Sequence, residues 1–245
     1  MSNKTNLIWR SVKELVFPRD CAGCGCQLAL DEEFVCPQCM LDLPWETRHE
    51  WVYNWRMSIR TQHPCLQRMG ALMRYRRDNV AAQIVRNMKF HRRPELGNWM
   101  GRLAAERLRD TGLFDGVDIL VPIPLTKSRL HVRGFNQAEK IAEAMAAELG
   151  LEVCTDALRR IRDIESQTHF QLDERLENAK DLFALTDEAQ VLAGRHVMIV
   201  DDVMTTGRTM LSAIEELEKV PEIRLSTFAW AWIPALQKSQ LLKKA

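Results

Sequence analysis

At 245 residues, with 46% hydrophobic and 27% charged side chains, the chain can bury a full core and has the composition of an ordinary globular protein. A net charge of +1 excludes a uniformly basic surface, so any nucleic acid must be met by a local patch. Seven cysteines, five of them crowded into residues 21–39, do not suggest a secreted disulfide scaffold and point instead to a metal.

In residues 1–17, Ile8, Val12, Leu15 and Val16 recur at helical spacing, interrupted by Arg10, Lys13 and Glu14. This predicts a short amphipathic helix docking on the rest of the protein, rather than a signal peptide or membrane anchor. No later segment is long and apolar enough to span a bilayer, and a cytoplasmic protein is expected. Next come Cys21-x₂-Cys24 and Cys36-x₂-Cys39, eleven residues apart. Each CxxC turn can present two thiolates to one ion, so Cys21, Cys24, Cys36 and Cys39 are expected to hold a structural zinc. Cys26 is a spare thiol that could replace Cys21 or Cys24 or stand free, and a redox pair or an iron–sulfur cluster is the alternative use of the cluster. Cys65 and Cys154 have no partner base nearby in sequence and read as core or surface thiols.

Domain organisation is expected as follows: helix and cysteine knuckle over 1–45, a linker over 46–69, and an α/β domain over 70–245. GALMRY (70–75) predicts a strand, and Val80, Ile84, Val85 and Met88 the buried stripe of a helix. Around that helix lie Arg74, Arg76, Arg77, Arg86, Lys89, Arg92 and Arg93, with Phe90 and His91 among them. Of these, Arg76, Arg77, Lys89, Arg92 and Arg93 are candidates for contacting a single-stranded nucleic acid, and the competing reading is a solvated basic face. Pro94 suits the first turn of a helix running to about Arg109.

From residue 117 the pattern alternates. VDILVPIP predicts a buried strand, GFNQAEKIAEAMAAEL a helix with Asn136 as N-cap, LEVCTDALRRI a second strand, GRHVMIVDD a third, GRTMLSAIEELEKV a helix and IRLSTFAWAWI a last strand. Apolar strands alternating with helices indicate a doubly wound, mainly parallel sheet. The richest chemistry lies where the third of these strands meets Asp201, Asp202, Thr205, Thr206, Gly207, Arg208 and Thr209. At the carboxyl end of a parallel strand, a Thr/Gly turn running into a helix offers hydroxyls, free N–H groups and the positive helix end to an anion. Two adjacent carboxylates can accept hydrogen bonds from neighbouring sugar hydroxyls, or hold Mg²⁺ through water. Lys127, Arg129 and Arg133, expected at the same sheet edge, place positive charge where a pyrophosphate needs it.

VMIVDDVMTTGRT (197–209) resembles the phosphoribosyl-pyrophosphate (PRPP) signature of type I phosphoribosyltransferases. The resemblance implies Asp201 and Asp202 on the ribose hydroxyls, Thr205 to Thr209 around the 5′-phosphate, and Mg²⁺ with PRPP. It also implies a lid over 159–178, where Arg160 and Arg162 join Lys127 and Arg133 as candidates for a catalytic role. Thr205 stands where purine-salvage members carry an aspartate base, which counts against purine salvage. Together with the paired CxxC, MKFHRRPELG (88–97), VPIPLTKSRLHVRGFNQAE (121–139) and RRIRDIESQTHFQLDERLENAKDLF (159–183), the signature resembles the ComF family, tied to competence and incoming single-stranded DNA. Two readings follow: a phosphoribosyltransferase acting on PRPP, or a non-catalytic module on the same fold that binds nucleic acid, couples to competence-machinery proteins or senses PRPP.

Overall fold

A computed structural model describes residues 19–46, 59, 61–162 and 182–233. The predicted N-terminal helix and most of both the predicted linker and the predicted lid lie outside the described residues. The chain contributes helix α1 (Pro37–Leu41), strand β1 (Leu66–Arg74), helices α2 (Val80–Phe90) and α3 (Pro94–Leu108), and strand β2 (Ile119–Pro122). Helices α4 (Lys127–Arg133) and α5 (Gln137–Leu149) follow, then strands β3 (Glu152–Val153), β4 (Leu158–Arg160), β5 (Phe183–Leu185) and β6 (His196–Met204), helix α6 (Arg208–Leu217) and strand β7 (Arg224–Trp232).

Five strands form one parallel sheet in the order β1-β7-β6-β2-β3. Alternation along the strands sends side chains to two cores. Leu120, Met198, Val200, Phe228 and Trp230 meet α2, α3 and α5 on one face. Ile119, Val121, Val197, Ile199, Leu225 and Ala229 meet α6 on the other. With both faces covered, β6 is apolar from Val197 to Val200 and turns polar at Asp201.

Two predicted strands differ in extent from those found. β1 begins at Leu66, before the expected start, because Leu66 and Met69 are buried and already pair with β7. The stretch read as a single strand over 151–161 is divided. β3 closes the sheet edge, whereas β4 leaves it to pair antiparallel with β5. The break falls at Cys154–Asp156, where Thr186 Oγ1 donates to the Asp156 carbonyl and Thr186 N–H to that of Ala157.

The helix starts follow their capping chemistry. Asn79 caps α2, Pro94 opens α3, Thr126 caps α4 and Asn136 caps α5. The cysteine knuckle lies against α2 on the first face: Cys21, Ala22, Cys36 and Cys39 share a core with Ala81, Ile84, Val85 and Met88, and Asn87 Nδ2 donates to the Ala22 carbonyl at 2.7 Å. Among the described residues, no helix is long and apolar enough to cross a membrane.

Candidate functional site

All five strands of the sheet run the same way, so the ends of β2 and β6 open on one edge. There Ile123 N–H donates to the Val200 carbonyl, bringing the segment after β2 alongside the acid pair of β6. Asp201 and Asp202 belong to the strand itself: Asp201 is in register with Ala229, and Asp202 N–H donates to Asp201 Oδ1 at 2.8 Å. Beyond them Gly207, at φ 80°, ψ −4°, turns the chain into α6, a backbone conformation that costs a side-chain-bearing residue. Thr205 and Thr206 are exposed, Gly207 is buried, and Arg208 N–H reaches Thr206 Oγ1 at 3.4 Å. The first N–H groups of α6 are those that a helix leaves without intrahelical partners, and they lie at the mouth of the turn.

A cavity of about 170 Å³ lies over this edge, lined by Asp201, Asp202, Val203 and Thr209 from β6 and α6. Four cations face it: Lys89, Arg129, Arg133 and Arg160. Arg133 donates to Gln137 Oε1 at 2.7 Å, and the Arg160 guanidinium sits 5.5 Å from the Phe183 ring centroid. Asn136 secures the wall: its side chain accepts from Ala138 N–H and donates to the Ile123 carbonyl at 3.0 Å. Of the residues singled out for catalysis, Arg133 and Arg160 line this cavity. Lys127 lines a larger neighbouring cavity of about 1040 Å³, and Arg162 lines neither, its carbonyl accepting from Arg160 Nε.

The acid pair is not electrically bare. Lys89, carried by α2, places Nζ 2.7 Å from Asp202 Oδ2, with side-chain exposures of 19% and 10%. Asp201 keeps some residue exposure but its carboxyl is enclosed; burial, and then the neighbouring Asp202 charge, push its pKa up to about 7, with Lys89 opposing. Each carboxylate therefore has one oxygen committed, to Lys89 or to Asp202 N–H, and the donor set suits two sugar hydroxyls better than direct ligation of an ion that demands six oxygens. Sequence reasoning grouped Lys89 with a nucleic-acid surface. The signal for its position beside Asp202 is that it lies four residues after buried Val85 and next to buried Met88, on the flank of the helix's core stripe.

The other basic candidates do not form one patch. Arg76 and Arg77 precede α2, and Arg92 and Arg93 follow it, so the helix separates them by roughly 16 Å. Arg76 pairs with Asp78; Arg93 pairs with Glu95 and lies 5.8 Å from the Phe34 ring centroid. Arg92, at φ 49°, donates to the Val132 carbonyl of α4. Beside it, Phe90 is 73% exposed and Val132 67%.

In the knuckle, the sulfurs of Cys21, Cys24, Cys26 and Cys36 all lie within 4.8 Å of one another. Cys26 thus enters the tightest set and Cys39, one of the four expected ligands, stands just behind it, buried, with Cys21, Cys24 and Cys36 as neighbours. Backbone N–H groups of Gly23 and Cys36 point at Cys21 Sγ, and hydrogen bonds from Cys26 pull the Cys24 thiol down to about 6, favouring thiolate. Four clustered thiols with such donors fit a tetrahedral zinc ion. Cys65 is different: burial and its bond to Glu218 raise it to about 12, leaving an inert thiol.

The family model of the phosphoribosyl transferase domain matches residues 90–229. Among curated proteins, DNA utilization protein YhgH of Salmonella typhimurium is 35% identical over 131 residues, covering 52% of this chain and 56% of that protein. Competence protein F of Haemophilus influenzae is 24% identical over 199 residues, 80% of this chain and 83% of that one. Competence protein ComFC of Bacillus subtilis is 33% identical over 111 residues, 45% and 42% of the two chains. The chain thus spans about half the length of the YhgH and ComFC relatives that it matches. A solved adenine phosphoribosyltransferase is 22% identical, with a TM-score of 0.38 over 66% of this chain and 79% of the other. The resemblance read from the ordered segments is met by these ComF- and YhgH-type relatives, and a domain match over more than half of its length makes this chain a member of the phosphoribosyl transferase domain family.

Proposed function

We propose that the cavity at the end of β6 binds the ribose 5-phosphate group of PRPP or a related ligand, in the service of DNA utilisation. The supporting observation is convergence: two adjacent carboxylates, a Gly207 turn opening a helix, and four cations surround one small cavity. The carboxylates would accept the sugar hydroxyls, and the turn and helix start would take the phosphate. Arg129, Arg133 and Arg160 would balance a pyrophosphate. Mg²⁺ would enter with that pyrophosphate, through water. In a transfer reaction an acceptor would displace pyrophosphate at C1, and the chain's part would be positioning and charge balance. The names of the relatives support the setting, DNA utilisation or competence.

Isothermal titration with ribose 5-phosphate and with PRPP tests the reading. The native chain should bind both. The double variant Asp201→Asn, Asp202→Asn should lose at least about tenfold in affinity, since hydrogen bonds to charged groups are worth about 1.5–3 kcal/mol each. Absence of binding by the native chain would sink the reading.

A second reading, a single-strand contact at the end of α2, is favoured by exposed Phe90, the last residue of that helix, and by Arg92 two residues on. Stacking on an exposed ring is worth about 1–3 kcal/mol per base. Phe90→Ala should weaken single-stranded DNA binding about tenfold, and reversing Arg76, Arg77, Arg92 and Arg93 should reduce its salt slope. Unchanged affinity in both would remove this reading.

A further inference from the structure

We propose that Lys89 is a built-in cation of the sugar cup, a positioning residue whose ammonium balances the acid pair from within the chain, so that ribose 5-phosphate binds without magnesium. The inference rests on the phosphoribosyl reading of the cavity.

The geometry is specific. Lys89 Nζ and Asp202 Oδ2 are 2.7 Å apart, and both side chains are largely out of solvent, where a charge needs a partner and where the pair is poorly screened. Lys89 is not a loose surface cation. It is the tenth residue of a helix anchored by buried Ile84, Val85 and Met88 and tied to the knuckle through Asn87 and the Ala22 carbonyl. Its placement is therefore set before any ligand arrives.

The charges point the same way. Lys89 lines the cavity together with Arg129, Arg133 and Arg160, so a phosphate entering it would meet cations on several sides. An ammonium has three donors; one is spent on Asp202, leaving two for ligand oxygens. A divalent ion approaching the carboxylates would meet a fixed positive charge in contact with one of them. The ammonium, 2.7 Å from Asp202 Oδ2, orients that carboxylate and leaves its other oxygen to accept a sugar hydroxyl.

The test is titration of ribose 5-phosphate into the zinc-loaded full chain, in buffer without and then with Mg²⁺. The native affinity should agree within about twofold between the two conditions, and Lys89→Met should lose about 10- to 100-fold without Mg²⁺ and regain part of it when Mg²⁺ is added. Ligand-free Lys89→Met should also gain thermal stability from Mg²⁺ that the native chain does not gain. Lys89→Arg, which keeps the charge, guards against a folding defect: it should remain independent of Mg²⁺. Native binding that requires Mg²⁺, or Lys89→Met binding as tightly as native without it, overturns the role of Lys89 while leaving the phosphoribosyl reading intact. No binding by the native chain in either condition overturns both.

Discussion

Asp201 holds its proton to about pH 7 in the folded chain, against an ordinary value of 3.8. Between those two pH values the folded state carries a proton that the unfolded state has lost, so stability falls as pH rises from about 4 to about 7, and is level on either side. His196 works in the opposite sense. It is buried between the Gly116 carbonyl and Ser226 Oγ, and burial lowers its pKa, so protonation of the unfolded state erodes stability as pH falls below 6.5. Urea melts of Asp201→Asn across this range should lose the first slope and keep the second. A native-like pH profile in the variant would mean that the Asp201 carboxyl titrates normally. At this scale the sequence exposed the acid pair, because two carboxylates ending an apolar strand stand out. It concealed Lys89, because what defines that residue is a helix docking across the sheet edge, a long-range event that local spacing does not record.

Helices and turns were legible where the chemistry is local. Asn136, Pro94 and the apolar stripe of α2 announce their elements; α4, whose cations were expected at the sheet edge but not on a helix, did not, since its seven residues bury nothing. The fate of 151–161 was equally hidden, because Thr186, far along the chain, decides where β3 ends. Asn136 does double duty, as cap of α5 and as donor to the Ile123 carbonyl. Asn136→Ala should cost about 2 kcal/mol in urea melts, from a lost cap and a buried carbonyl left unpaired. The same variant should weaken ribose 5-phosphate binding, because that carbonyl belongs to the cavity wall. Glu46 is the comparable residue between elements. Its fully buried side chain takes two bonds from Arg74 on β1, at 3.0 and 3.1 Å, and one from Trp232 Nε1 on β7, at 2.7 Å. Glu46→Ala should cost about 2–3 kcal/mol, from the loss of the Arg74 and Trp232 bonds at a buried site; Glu46→Gln, which still accepts from the indole, should cost about half as much. Equal losses in the two variants would place the cost in the charge instead.

For the molecule as a whole, the doubly wound parallel sheet was readable from the alternation of apolar strands and helices, but not how closely the cysteine knuckle is joined to it. The knuckle shares one core with α2 and α3. The segment after the knuckle also borders the sheet: Glu46 N–H donates to the Leu72 carbonyl, Arg74 N–H to that of Pro44, and Trp45 bridges Met73. β1 is the terminal strand, and these bonds occupy its outer margin. An uncovered margin of Ala71, Leu72 and Met73 is a template for pairing with another chain. Where zinc holds the cysteine cluster, stripping it should therefore announce itself by self-association before global unfolding, with light scattering rising while far-UV ellipticity stays near native. The cysteine cluster would then serve solubility, keeping each copy of the chain from adopting its neighbour as an extra strand.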